Sequence, residues 1–119
     1  MSIKRLEHIE ATPVAAGEGV TRRMLISPEE GPRFAMRVFR IEAGGFMPLH
    51  TNSVEHEQYV LRGRAKVVIG DQASEVSEGS IVFIPAEVPH SYTAIGDEAF
   101  EFICLVPNMP DQTVIVEKH

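Results

Sequence analysis

The sequence predicts an all-β protein whose antiparallel strands form a sandwich or a barrel. Three observations support this prediction. Runs rich in β-branched and aromatic residues alternate with a period of two, and Gly, Pro and Asp interrupt these runs at short intervals. The chain has 119 residues, which fits a single domain that can bury a core without disulfides. Many short strands joined by regular turns are typical of such folds.

Eight strands are predicted, each bounded by residues that favour turns. Glycines supply backbone conformations of positive φ, and prolines remove a donor from a sheet ladder. Gly44 and Gly45, for example, predict a break after the second strand. The predicted strands are Thr21–Ile26, Ala35–Ile41, Glu57–Arg62, Ala65–Ile69, Ser80–Ile84, His90–Thr93, Phe100–Leu105 and Val114–Glu117.

Strand alternation also predicts which side chains face the core. In Phe100–Leu105 the charge of Glu101 indicates a face turned to solvent. The alternate residues Phe100, Phe102 and Cys104 should then point inward.

Composition excludes several classes of function. Eleven Lys and Arg against seventeen Asp and Glu give a net charge of −6, which argues against non-specific nucleic-acid binding and attachment to anionic lipid. The single cysteine, Cys104, cannot form an internal disulfide. The amino-terminal residues lack the apolar stretch of a secretory signal, and no apolar run approaches the ~20 residues of a membrane span. We therefore expect a cytoplasmic protein.

Histidines form the one constellation that suggests chemistry. If residues 50–56 are extended, His50, Asn52 and His56 project to one face, and His90 lies at the start of a later predicted strand. Imidazole suits several transition metals, so these side chains on the inner wall of a barrel predict a metal site. Inward histidines also occur as hydrogen-bonded core residues, and this possibility stays open. His8 and His119 are expected to be exposed and without a role.

The spacing of these residues resembles the two motifs of the cupin superfamily. The first motif has Gly, His-x-His, Glu and Gly, and the second has Gly, Pro, Gly, His and Asn. The resemblance covers roughly residues 34–107. The corresponding segments are Gly44-x5-His50-x-Asn52-x3-His56-x6-Gly63 and Gly79-x5-Pro85-x-Glu87-x2-His90-x3-Ala94.

The resemblance implies a cupin double-stranded β-helix, a jelly-roll-like β-barrel. It would comprise residues 28–119, with residues 1–27 as an amino-terminal arm and strand, and the chain would form one domain overall. Small cupins commonly form homodimers, and the 1–27 arm is a candidate for exchange between subunits. The resemblance also implies a divalent transition metal, one of Mn, Fe, Ni, Cu, Co or Zn. Its ligand positions fall on His50, Asn52, His56 and His90.

The sequence departs from the cupin pattern at two of those positions. His56 replaces a glutamate, so the ligands would leave the full positive charge of the metal uncancelled and favour anionic substrates. Asn52 replaces a histidine. It can ligate weakly, bond a bound water, or cap the loop while the position stays empty. A metal-free cupin therefore stays open as well.

Three further residues are candidates for supporting the site: Gln58, Tyr92 and Cys104. Gln58 shares the face of His56 and could orient a water or a substrate. Tyr92 and Cys104 should line the interior, where a free cysteine is more commonly a small apolar packing residue.

These observations favour a metal-dependent enzyme acting on a small anionic or chelating organic molecule, with oxygenation or oxidative cleavage as the preferred chemistry. A non-redox isomerase or decarboxylase is the second enzymatic hypothesis. Two hypotheses without catalysis stay open: a cupin that binds or senses a small molecule, and a cupin kept only for assembly. A homodimer is expected in each case, because the edges of an open sheet need cover.

Overall fold

The computed structural model describes residues 1–116, and its regular secondary structure is almost entirely β-strand. A short 3-10 helix, Leu6–His8, comes first, and no helix among the described residues has the length and apolarity of a membrane span. The all-β prediction is confirmed. The strands are β1 (Thr12–Pro13), β2 (Glu18–Ile26), β3 (Phe34–Asn52), β4 (His56–Arg62), β5 (Arg64–Ile69), β6 (Gln72–Ser77), β7 (Ile81–Ile84), β8 (His90–Ile95), β9 (Phe100–Pro107) and β10 (Thr113–Ile115).

The strands form one curled antiparallel sheet in which β3 has the most partners. The order along the main path is β6-β5-β8-β3-β9-β4-β7, and β2 and β10 also pair with β3. The first half of β3, Phe34 to Ile41, pairs with β9, whereas the stretch from Phe46 to His50 pairs with β8. One long strand thereby joins both sides of the curled sheet.

The break predicted at Gly44 and Gly45 is wrong, because β3 continues through both residues. Pairing with β2 shifts register there, from Val20 opposite Ile41 to Glu18 opposite Phe46. A Cβ on Gly45 would lie 2.5 Å from the carbonyl oxygen of Glu18, so this position needs a glycine. The glycines accommodate an irregular stretch of β3 rather than ending it.

Two other predictions differ from the structure. The sequence does not predict strand β6, because its residues are mostly polar and exposed and it pairs only with β5 at the sheet edge. The last predicted strand, Val114–Glu117, corresponds to β10, which ends at Ile115. Glu117 and His119 lie outside the described residues.

The core lies inside the curl of the sheet. Phe100, Phe102 and Cys104 are buried there, as predicted. The prediction that Glu101 is exposed to solvent is wrong. Glu101 does lie on the opposite face of the strand, but it is buried and accepts a hydrogen bond from Arg40 Nη1. The cross-strand register places Arg40 directly opposite Glu101, so the pair can satisfy a buried carboxylate.

Residues 1–27 pack on their own chain in this structure. Strand β1 pairs with β2, and β2 pairs with β3. Exchange of this arm between subunits stays a prediction.

Substitution of Gly63 by alanine should be severely destabilising. Gly63 has φ +80°, and a Cβ there would lie 2.2 Å from the carbonyl oxygen of Ala99. Gly79 is the matched control, because its φ is +89° but nothing lies within 4 Å of an added Cβ. The strain common to both should cost roughly 1–2 kcal/mol, and the clash at Gly63 should add about 2 kcal/mol or more. Urea unfolding of G63A and G79A measures this difference, and equal losses would contradict the clash.

Candidate functional site

Three histidines converge on one cavity of about 290 Å³. His50, His56 and His90 are 4%, 7% and 1% exposed, respectively. His50 on β3 and His90 on β8 are register partners, and their ring centroids lie 4.1 Å apart. The His56 ring, at the start of β4, lies 5.8 Å from the His90 ring. The structure thus brings together the histidines that the sequence singled out. His8 is exposed and belongs to no such cluster.

The route by which His56 reaches the cavity differs from the prediction. The sequence-based prediction treats residues 50–56 as one extended stretch, but the chain leaves the strand at residues 53–55. His50 and His56 therefore lie on different strands, β3 and β4, which are separated by β9 in the sheet. Curling of the sheet, not strand alternation, brings their side chains to the same wall.

Backbone carbonyls orient two of the rings. His50 Nδ1 lies 2.8 Å from the carbonyl oxygen of Pro48, and His90 Nδ1 lies 3.0 Å from that of Val88. A neutral ring that donates from Nδ1 carries its lone pair on Nε2. His90 Nε2 is buried without a hydrogen-bond partner, as is His56 Nε2. Buried polar atoms normally have partners, so these two nitrogens indicate a ligand.

Burial keeps the imidazoles neutral. Desolvation, followed by the positive charge of Arg37, lowers the pKa of His56 to about 3. Desolvation likewise lowers the pKa of His90 to about 4, and it lowers the pKa of His50. A histidine must be neutral to bind a metal, so the site is in the required state at neutral pH.

Asn52 presents its amide oxygen without a partner. The Asn52 side chain is buried, its Nδ2 donates to Thr113 Oγ1 at 2.9 Å, and its Oδ1 has no hydrogen bond. The loop is capped instead by Asp111, whose Oδ1 accepts from the backbone nitrogen of Ser53 at 2.8 Å. The geometry of Asn52 therefore favours a ligand or water-binding role over a loop cap.

These donors fit a transition metal by their chemistry. The cavity offers neutral imidazole nitrogens and an amide oxygen, and three of those atoms are buried without partners. Within residues 1–116, no three His, Cys, Asp or Glu side chains already stand at metal-binding spacing. Binding would therefore require the side chains to close on the ion.

The predicted supporting residues form a buried group beside the histidines. Gln58 Nε2 donates to Tyr92 Oη at 2.7 Å and lies 3.7 Å from Cys104 Sγ. Burial raises the pKa of Tyr92 and the pKa of Cys104, so both groups stay protonated. Gln58 and Tyr92 line the cavity, whereas Cys104 lies behind its wall.

Arg37 lines the cavity but is absent from the predicted site residues. Its Nη2 donates to Cys104 Sγ at 3.3 Å, its guanidinium lies 5.0 Å from the centroid of the Phe39 ring, and its Nε has no partner. Alternation along β3 does not single it out, because each face of this stretch carries one arginine, Arg37 or Arg40, among apolar residues.

The rest of the wall combines charge with apolar surface. Arg22 and Asp111 also line the cavity. The apolar part of the wall comprises Val14, Ala16, Val20, Phe39, Ile41, Met47 and Phe102.

Comparison with known proteins identifies the family. The family model of the cupin domain matches residues 37–106. The chain belongs to the cupin family. Both sequence motifs lie within the matched segment, and the cupin β-barrel inferred from them is confirmed by the solved structures that this cupin resembles.

Several relatives have been named or solved. The cupin is 33% identical over 87 residues to 1-methylthio-D-xylulose 5-phosphate methylsulfurylase of Rhodospirillum rubrum; the match takes in 73% of this chain but only 55% of that enzyme's length. The structure of this cupin resembles that of the polyketide cyclase RemF from Streptomyces resistomycificus, with a TM-score of 0.87 and 28% identity over 99% of this chain and 88% of RemF. A cupin-2 domain from R. rubrum gives a TM-score of 0.86 at 27% identity, over 98% of this chain and 81% of that one.

Metal-free protein should lose stability as the pH falls below about 6.5. His56 and His90 have folded pKa values of about 3 and about 4, below the ordinary 6.5. The unfolded chain then binds protons first, so stability present above pH 6.5 declines as the pH approaches those folded values. Urea unfolding between about pH 7.5 and 4.5 measures this slope. H56Q should flatten it and H8Q should not; an unchanged slope in H56Q would contradict the assignment.

Proposed function

We propose that this cupin is a metal-dependent enzyme that acts on a small anionic or chelating organic molecule. The observation that carries the proposal is the set of three buried, unpartnered donor atoms at one cavity: His56 Nε2, His90 Nε2 and Asn52 Oδ1. His50 completes the set of proposed ligands. The cofactor would be a divalent transition metal, one of Mn, Fe, Ni, Cu, Co or Zn.

Each residue has a distinct role in the proposal. His50, His56 and His90 would hold the ion as neutral ligands, and Asn52 would supply a weaker oxygen ligand or bind a water. When bound, the metal would polarise a substrate oxygen as a Lewis acid or, if redox-active, permit oxygen chemistry. Gln58 and Tyr92 place a fixed hydrogen-bonded pair beside the substrate, and the apolar wall limits the water around it.

Two relatives support an enzymatic role over simple binding. A polyketide cyclase has nearly the same fold over the whole of this chain, and a methylsulfurylase is one third identical over most of it. Because this chain spans only 55% of the methylsulfurylase, the chemistry of that enzyme is not transferred here.

Oxygenation or oxidative cleavage remains the preferred reaction of the proposal, and a non-redox isomerisation or decarboxylation is its alternative. Three neutral ligands leave the charge of the metal uncancelled, which suits either route. Oxygen uptake with enolic or catechol-like substrates, in protein loaded with each metal in turn, separates them. Conversion of such a substrate without uptake would assign the non-redox route. Binding without conversion would favour a sensing or carrier cupin.

Replacement of the proposed ligands should abolish metal binding. Protein purified without an affinity tag should contain close to one equivalent of a transition metal by elemental analysis. H56A and H90A should each lose most of it, since loss of a ligand weakens a site far more than the 10–100-fold typical of an outer partner. H8A replaces an exposed histidine and should retain the metal. Wild-type protein with under about a tenth of an equivalent, even after incubation with each metal, would contradict the metal proposal and favour a cupin kept for assembly.

A homodimer, acting in the cytoplasm, completes the proposal. The dimer is supported by the apolar outer surface of β4 and β7, where Tyr59, Ile81 and Phe83 are exposed in the single chain. The exposed fraction of Ile81 is 82%. Such a patch at the edge of a sheet is typical of a surface that a partner covers. Sedimentation equilibrium should give twice the chain mass, and I81K should shift the protein toward monomer, with the exposed Lys66→Glu as control. A concentration-independent monomer would contradict the dimer.

A further inference from the structure

Arg37 makes no ion pair with any described residue. Among residues 1–116, the ion pairs all involve other side chains. Arg40, three residues along the same strand, shows the contrast, because it contacts the carboxylates of Glu42 and Glu101. What sets Arg37 apart is its Nε, a buried donor without a hydrogen-bond partner, and such an atom indicates that a ligand is its partner.

The contacts of Arg37 hold it without using all its donors. Its Nη2 donates to the neutral thiol of Cys104, a weak acceptor, and the guanidinium lies over Phe39. Its Nε is buried and free of any hydrogen bond. A guanidinium fixed in this way can offer adjacent N–H groups to a planar oxyanion at little cost in side-chain entropy.

The charge on the cavity wall favours an anion. Arg22 and Arg37 contribute two positive charges, Asp111 contributes one negative charge, and the histidines are neutral. This positive wall lies inside a chain whose net charge is −6. The local field therefore attracts a ligand that the overall charge would repel.

The wall beside Arg37 is aromatic, which favours a ligand with an apolar ring. The Phe39 and Phe102 rings stack at 5.4 Å between centroids, and Phe102 stacks on Tyr92 at 5.1 Å. These rings continue from the guanidinium toward the histidines, since Tyr92 lies 5.8 Å from His90. A cavity of about 290 Å³ accommodates one small ring with its substituents.

We propose that Arg37 binds the carboxylate of a planar aromatic or enolic acid whose ring packs on the Phe39–Phe102 wall. A hydroxyl or oxo group adjacent to the carboxylate then faces the histidines and Asn52. This inference rests on the proposed function only in taking the cavity as the substrate site, because Arg37 itself does not depend on a metal. Arg37 thereby determines both the charge and the orientation of the substrate.

Salicylate tests the inference, with salicylamide as the uncharged analogue of the same shape. Isothermal titration is carried out on the full chain as purified and again after removal of metal with EDTA. Salicylate should bind in both forms, and salicylamide should bind about tenfold more weakly or worse, because a charge-assisted hydrogen bond is lost. Equal affinities for the two compounds, or no binding of salicylate, would overturn the proposal.

Variants assign the effect to Arg37. R37Q should reduce salicylate affinity by about tenfold or more while leaving salicylamide affinity unchanged. The salicylate affinity of R37K should lie between those of wild type and R37Q, because lysine keeps the charge but lacks the planar guanidinium. R33Q removes an exposed arginine outside the cavity and should bind like wild type. Salicylate affinity in R37Q equal to that of wild type would show that Arg37 only packs against Phe39.

The two proposals fail separately. If only the metal proposal is wrong, wild-type protein contains no metal but still distinguishes salicylate from salicylamide. If only the Arg37 proposal is wrong, the protein binds its metal but has equal affinities for the two compounds. If R37Q does not fold, the comparison of the two compounds on wild-type protein still decides between these outcomes.

Discussion

Backbone pairing along β3 is the constraint on which the site depends. This strand carries Arg37, His50 and Asn52, and it pairs with β9 over its first half and with β8 near its end. The register with β8 sets His50 directly against His90. Because a one-residue slip would turn every side chain of the strand to the other face, the same register decides both the core and the cavity.

Burial gives the cavity its chemical character. Desolvation lowers the pKa of His56 and of His90, so their lone pairs are available, whereas Arg37 places a guanidinium on the same wall. Lone pairs and a fixed positive charge therefore coexist on one wall. Where the cupin pattern has a glutamate, this chain has His56. The wall therefore lacks a negative charge that would partly cancel the charge of a bound cation.

The carboxyl-terminal segment contributes to the site although it lies outside both cupin motifs. Strand β10 pairs with the end of β3, and Asp111 and Thr113 hold the backbone of Ser53 and the amide of Asn52. Asn52 is thereby oriented with its oxygen unpartnered. A position that looks weakened in the motif is thus held in place by contacts about sixty residues away in sequence.

The sequence by itself determined the all-β class, most strand positions and the four candidate ligands, because alternation and motif spacing are local properties of the chain. It did not determine that β3 passes through Gly44 and Gly45, since a glycine pair that ends a strand and one that allows a close approach look alike in sequence. Nor did it reveal the pairing of Glu101 with Arg40, or that Arg37 lacks a carboxylate partner. Those facts depend on which strands become neighbours. Only the curl of the sheet brings His56 on β4 to the histidines on β3 and β8, and only burial in that curl leaves the Nε2 atoms of His56 and His90 without partners.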